Sequence, residues 1–130
     1  KYIMKKSILI FIVFSFFFSL LAESHPVDVS LFKKNKGYVL RVSVPKDFGI
    51  QREAPNRILL SGNGVQILKA NTRFSGPINP SKKDYFKKVN DMPVSLKGKG
   101  TLQISGKVFY CDYVKNICQF AKIQKEETIP

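Results

Sequence analysis

Short stretches of alternating apolar and polar residues recur along the chain after residue 25. The clearest covers residues 38–44, where Leu40 and Val42 alternate with polar neighbours. A period of two places one face of a β-strand on a core and the other in water. Together with residues 26–32 and the polar turn at 33–37, this pattern predicts an opening β-hairpin.

Glycine- and proline-rich signals divide the rest of the chain into further short elements. Residues 58–60 and 65–68 flank the sequence Ser-Gly-Asn-Gly, which predicts a second hairpin. We expect residues 72–80 to be irregular and residues 82–89 to form one short helical turn. Further strands are predicted at 92–96, 101–105, 108–110 and 117–123. Many short strands without a long amphipathic helix predict an all-β sandwich.

The first 22 residues have the pattern of a secretory signal peptide. Lys5 and Lys6 precede an almost wholly apolar run over residues 7–21, and Ala22 provides a small residue for cleavage. We expect Met4 to be the natural start, after a short N-terminal extension, and residues 23–130 to form one domain. The expected location is the periplasm, with secretion or attachment to the cell surface as alternatives.

The charge of the expected mature chain is strongly positive. It carries 19 basic and 9 acidic side chains, a net charge of about +10. Such a charge favours anionic surfaces. Lysines interleaved with aromatics at 82–88 form the candidate polyanion site: Lys82, Lys83, Lys87 and Lys88. An exported binding module for anionic glycan or lipid is therefore one functional hypothesis, and export argues against nucleic acid.

The chain has two cysteines, Cys111 and Cys118, inside strand-like sequence near its end. Pairing them across a hairpin also sets Phe109 opposite Phe120, which predicts a disulfide reinforced by an aromatic pair. Export is compatible with this bond. It could be a structural bond that closes a short loop, or a redox centre with an attackable sulfur. The residues alone leave both interpretations open.

Other chemistries have less support in the sequence. His25 is the only histidine, so a histidine-based catalytic triad and a site with several histidines are excluded. If cleavage follows Ala22, the new amino terminus and His25 could form a square-planar copper or nickel site. We otherwise expect neither a metal nor a cofactor.

The chain resembles the periplasmic N-terminal domain of the thiol:disulfide interchange protein DsbD family. The resemblance runs from about residue 27 to residue 130, and its most specific element is Tyr110 directly before Cys111, with a second cysteine beyond a tight loop. The resemblance also rests on the opening hairpin, residues 48–55, the strand leading into 64–65, the strand at 93–94 and the segment 106–111. This resemblance implies an immunoglobulin-like β-sandwich.

The resemblance also implies that the cysteines form a reversible pair, with Cys118 exchanging with a thioredoxin-like partner and Cys111 resolving. Tyr110 and a cap would then pack around the sulfurs, and the cap residues would be Asp84, Tyr85 and Phe86. The sequence departs from the family in its six-residue spacing between the cysteines and in lacking prolines after Cys118. We expect no membrane relay after Pro130, so electron transfer would require a separate partner, and the sequence leaves open whether the domain is itself an enzyme.

Overall fold

The protein is described by a computed structural model that covers residues 24–130 and contains eight β-strands. The strands are β1 (Asp28–Lys34), β2 (Gly37–Ser43), β3 (Phe48–Ile50), β4 (Arg57–Asn63), β5 (Gln66–Ala70), β6 (Met92–Lys97), β7 (Gly100–Asp112) and β8 (Ile117–Ile129). This part of the chain contains no helix long and apolar enough to cross a membrane.

Two antiparallel sheets form the fold. The first has the strand order β1-β2-β6-β5. In the second, β7 is central: it pairs with β8 over its whole length and, along its other edge, with β4 and then β3. The predicted all-β sandwich is therefore confirmed, whereas the predicted signal peptide at 1–22 lies outside the described residues.

The core lies between the sheets and is built from alternate residues of the strands. Leu40 and Val42 of β2 are at most 2% exposed, as are Leu102 and Ile104 of β7. Full burial of such a side chain stabilises a fold by about 1.5–3 kcal/mol. The period-two pattern of these strands therefore determines which face packs and which stays outside.

The predicted opening hairpin is confirmed, because β1 and β2 pair from Asp28 opposite Ser43 to Lys34 opposite Gly37. The predicted second hairpin is wrong. β4 pairs with β7 in the second sheet, whereas β5 pairs with β6 in the first. The glycine-rich turn that joins them therefore carries the chain from one sheet to the other. Val65 is 5% exposed at this corner, so its burial in the core favours the crossing.

The short helical turn expected within residues 82–89 is also absent. Tyr85 donates its backbone N–H to Lys82 O in a tight turn, and residues 85 and 86 then form isolated β-bridges. One bridge pairs Tyr85 with Gln51, next to the end of β3. Hydrogen bonds to a neighbouring strand edge thus replace those of a helix. We call residues 79–88 the cap segment.

The last hairpin is longer than predicted. The strands expected at 101–105 and 108–110 form one continuous strand, β7, which passes through Gly106. A side chain at Gly106 would collide with Arg57 O, so glycine permits the close approach of β4. The result is a thirteen-residue β7–β8 ladder with the two cysteines near its turn.

Candidate functional site

Cys111 and Cys118 form a disulfide across the β7–β8 hairpin. They are register partners with Cα atoms 4.0 Å apart. The neighbouring pairs also match prediction, with Phe109 opposite Phe120 and their ring centroids 5.9 Å apart. The predicted pairing and register are therefore confirmed.

The disulfide lies on the outer face of the second sheet. Leu102, Ile104 and Val108 of β7 point into the core, so by strand alternation Cys111 points away from it. Residues directly opposite each other share a face, which places Gly49 of β3, Cys111 and Cys118 in one outward row. A partner could therefore approach this row without the sandwich opening.

The two cysteines differ in accessibility. Cys111 is only 3% exposed, although its side chain lies on the outer face. Cys118 is exposed, and its strand β8 has no second strand neighbour among residues 24–130. An incoming thiolate would therefore reach the disulfide from the Cys118 side.

Two tyrosines cover the Cys111 side of the row. The Tyr113 hydroxyl and the Tyr85 ring occupy the space above Gly49, where the Cβ of any larger residue would collide with Tyr113 Oη and lie 2.9 Å from Tyr85 Cδ1. The two rings pack edge to face with centroids 5.1 Å apart. Lys82 Nζ lies 4.5 Å from the centroid of the Tyr113 ring. Glycine at position 49 thus makes room for an aromatic cover beside Cys111.

The environment of Tyr113 is unusual for a phenol. Burial raises the pKa of Tyr113 above its ordinary value, Tyr85 raises it further, and nearby Asn79 partly offsets these effects. The Asn79 side chain lies near the Tyr113 hydroxyl but not in hydrogen-bond geometry. The buried hydroxyl therefore has no hydrogen-bond partner within residues 24–130. A buried hydroxyl without a partner is available to a new acceptor.

The hairpin turn is held by Asp112. Its Oδ1 accepts hydrogen bonds from the backbone N–H groups of Val114 and Lys115 at 2.9 and 3.1 Å. Asn116 adopts a left-handed conformation with φ of 55°. Asp112 is therefore a turn residue that stabilises the hairpin loop.

The structure places the four residues proposed to surround the cysteines in different environments. Tyr85 lies on the outer face above Gly49, whereas Asp84 accepts a backbone hydrogen bond from Arg52 through its main-chain oxygen. Phe86 packs against the core cluster. Tyr110 is buried on the core-facing side of β7, where its hydroxyl donates to Gln119 Oε1 at 3.2 Å.

Sequence reasoning assigned no role to Gly49 or Tyr113. The sequence carries a weak signal for the tyrosine, because an aromatic residue is uncommon among the polar residues of a tight turn. It carries none for the pairing of Gly49 with Cys111, which depends on β3 lying beside β7. Contacts between distant segments determine this part of the site.

The other candidate residues lie away from the disulfide row or only at its edge. Lys83, Lys87 and Lys88 are exposed on the cap segment, and only Lys82 contacts the aromatic cover. His25 Nδ1 is buried without a hydrogen-bond partner in the described part of the chain. The metal site proposed for His25 also needs residue 23, which lies outside the described residues. Residues 24–130 contain no group of three acidic, histidine or cysteine side chains suited to a metal.

No family model, curated protein or solved structure matches this chain.

Proposed function

We propose that this domain carries out thiol–disulfide exchange through Cys111 and Cys118. The observation that carries the proposal is the unequal accessibility of the two cysteines in one disulfide. Cys118 is exposed on an edge strand, and Cys111 is 3% exposed beside an aromatic cover. A disulfide that only stabilises a hairpin needs no difference in accessibility between its cysteines, whereas thiol exchange benefits when one sulfur is attacked in preference to the other.

The exchange step follows from this arrangement. A thiolate of the partner attacks Cys118 Sγ, the bond between the two sulfurs breaks, and its electron pair leaves on Cys111 Sγ. The product is a mixed disulfide between the partner and Cys118. A second thiolate of the partner then attacks the partner's own sulfur in this bond and releases Cys118. The domain ends as a dithiol and the partner as a disulfide, with two electrons transferred and two protons taken up by the thiolates.

The aromatic cover favours this direction of attack. Tyr85 and Tyr113 occupy the side of Cys111 that faces Gly49, so a bulky partner meets Cys118 first. The hydroxyl of Tyr113, unpartnered within residues 24–130, lies in the row next to Cys111 and is suited to donate a hydrogen bond to the sulfur that leaves. Tyr113 would act as a positioning residue in this role.

The resemblance to the N-terminal domain of the DsbD family supports the same assignment and suggests a thioredoxin-like partner. Such a partner presents two cysteines, which the exchange requires. An exported, oxidising compartment would keep the pair as a disulfide until the partner arrives. The proposed location is the periplasm.

The first test is the reduction potential of the Cys111–Cys118 bond in the domain comprising residues 23–130, measured against a glutathione series. We expect a potential well above about −300 mV, the value below which structural disulfides lie. Acid quenching and peptide mass spectrometry should find glutathione on Cys118 rather than Cys111. A potential below about −300 mV, or adducts mainly on Cys111, would refute the proposed exchange.

The two single-cysteine variants test the assigned roles. Cys111→Ser should capture an oxidised thioredoxin-like protein as a mixed disulfide that acid quenching preserves, because the Cys118 thiolate attacks the partner's disulfide and Cys111 is no longer present to complete the exchange. Cys118→Ser is the matched control and should capture little, because Cys111 is buried. Equal capture by both variants would contradict the assignment of Cys118.

A second candidate function is an exported binding module with a structural disulfide. The observation in its favour is the set of four lysines on the cap segment, of which none forms an ion pair within residues 24–130. It predicts that heparin or anionic vesicles bind with an affinity that falls steeply with salt. Joint substitution of Lys82, Lys83, Lys87 and Lys88 by glutamine should abolish that binding. Binding that is absent or insensitive to salt would exclude this function.

A further inference from the structure

Three cations stand side by side on the outer face of the second sheet. Arg57 of β4 is opposite Lys107 of β7, and Lys107 is opposite Lys122 of β8. Neighbouring strands lie about 4.8 Å apart, so the row places three positive charges across roughly 10 Å of sheet. All three residues are exposed, and we call them the cation row.

The cation row has no acidic partner within residues 24–130, because the ion pairs there join Arg41 with Asp91 and Lys125 with Glu127. By register, Glu126 is on the same face but four residues further along β8, where Gln103 donates a hydrogen bond to it. Like charges directly opposite each other destabilise a sheet. The row therefore weakens the fold unless a ligand supplies negative charge.

Apolar side chains flank the cation row on both sides. Phe120 is 52% exposed, opposite Phe109, and Leu59 is 50% exposed two register pairs beyond the row. Lys107 Nζ lies 4.9 Å from the centre of the Phe120 ring. A groove of about 590 Å³ runs along this surface between Pro55 and Gln124. The surface thus offers exposed apolar contacts around a strip of positive charge.

The surface continues directly into the disulfide row. Along β7, Cys111, Phe109 and Lys107 are alternate residues on one face, and Cys118, Phe120 and Lys122 follow the same order along β8. A strand rises about 3.3 Å per residue, so the cation row lies about 13 Å from the disulfide. A protein whose thiol has reached Cys118 would cover both features together.

We propose that the cation row and its apolar flanks are the docking surface for the thiol partner. The partner that fits presents an apolar side chain and, about 13 Å from its reactive cysteine, a cluster of carboxylates. This inference rests on the proposed exchange function and adds the chemistry of the partner. An acidic protein fits better than a glycan, because Phe120 and Leu59 need apolar contacts that a sulfated sugar offers less well.

A synthetic peptide tests this docking surface without knowledge of the natural partner. The probe has a cysteine, a leucine two residues later, and glutamates four and five residues later, and its control carries glutamines in place of the glutamates. At low salt, we expect the glutamate peptide to form the mixed disulfide with Cys118 about tenfold faster than the glutamine peptide. This ratio should approach one when Arg57, Lys107 and Lys122 are all replaced by glutamine.

The matched control replaces three exposed lysines elsewhere, Lys33, Lys36 and Lys97, by glutamine. This variant has the same net charge as the cation-row variant and should keep most of the tenfold preference. In the cation-row variant, relief of the repulsion should offset the loss of the Lys107–Phe120 contact, so this variant should unfold at about the wild-type temperature. Equal loss of preference in both variants would overturn the proposed surface, since general attraction would then explain the effect.

A version of the peptide with serine in place of cysteine separates docking from chemistry. If it binds the wild type through the cation row while the cysteine peptide fails to exchange, the exchange function is refuted and the acidic docking surface stands. If the cysteine peptides exchange without a preference for glutamate, the surface is refuted and the exchange function stands. Binding of heparin or anionic vesicles through the cation row, without binding of the serine peptide, would assign the surface to a glycan or lipid instead.

Discussion

Replacement of Gly49 by alanine tests the aromatic cover beside Cys111. The new Cβ would collide with Tyr113 Oη and lie 2.6 Å from Tyr113 Cζ, so the Tyr113 ring must move. Because Tyr85 and Lys82 pack on that ring, their contacts would be lost with it. The strand itself should persist, since Gly49 has no left-handed backbone conformation to preserve.

The expected loss in the free energy of unfolding is the sum of the contributions of two contacts. An edge-to-face aromatic pair contributes about 0.5–1.5 kcal/mol. A lysine over an aromatic ring at an exposed site contributes about 0.5–1 kcal/mol. We therefore expect Gly49→Ala to lower the free energy of unfolding by about 1–2.5 kcal/mol. In a domain of this size, each kcal/mol lowers the melting temperature by about 4–8 °C.

Gly37→Ala provides the matched control. Gly37 also lies in a strand, but its added Cβ would meet only Val94 O, at an ordinary distance of 3.8 Å. Both substitutions remove the same backbone freedom from the unfolded chain, so their difference isolates the contact with the tyrosines. Urea unfolding of the two variants measures that difference.

A second pair of variants tests whether the stability lost in Gly49→Ala depends on the Tyr113 ring. In a Tyr113→Ala background only Tyr85 Cδ1, 2.9 Å from the new Cβ, would still have to shift, so Gly49→Ala should cost clearly less than it does in the wild type. An equal cost of Gly49→Ala with and without the Tyr113 ring would refute the proposed packing. So would a Gly49→Ala variant that is as stable as Gly37→Ala.

Three further variants have defined outcomes. Asn56→Ala should lower the free energy of unfolding in urea by about 1–3 kcal/mol. The reason is that the Asn56 side chain accepts a hydrogen bond from Phe109 N–H at 2.8 Å and donates one to a backbone oxygen at 2.7 Å. An unchanged stability would contradict this bridging role. Asp91→Asn should destabilise at neutral pH and become harmless in acid. A hydrogen bond from Arg41 lowers the pKa of Asp91, so its contribution is present above the pKa of the unfolded chain and is lost as pH falls through the folded value. A destabilisation that persists at about pH 2 would argue against the ion pair. Tyr113→Phe should be at least as stable as the wild type at neutral pH. Because folding raises the pKa of Tyr113, the wild type should lose stability as pH rises above about 10 towards the folded-state pKa, and the variant should lose less. An identical loss in both proteins in that alkaline range would contradict that contribution.

Local patterns in the sequence determined much of this fold. Alternation in residues 38–44 specified strand β2 and its buried face, because a period of two allows only one side of a strand to pack. Pairing the two cysteines across one hairpin set the register, which also places Phe109 opposite Phe120. The all-β class and the hairpin disulfide were therefore predictable.

Only the tertiary structure decided which strands share a sheet and what surrounds the disulfide. The turn after β4 resembles a hairpin in sequence, yet it joins two sheets, because the partner of each strand lies far away along the chain. The aromatic cover arises in the same way, as Gly49, Tyr85 and Tyr113 come from three separate segments. The cation row likewise requires β4, β7 and β8 side by side. Sequence periodicity specifies the face of each strand, whereas packing between distant segments selects its neighbours, and the candidate site is composed of those neighbours.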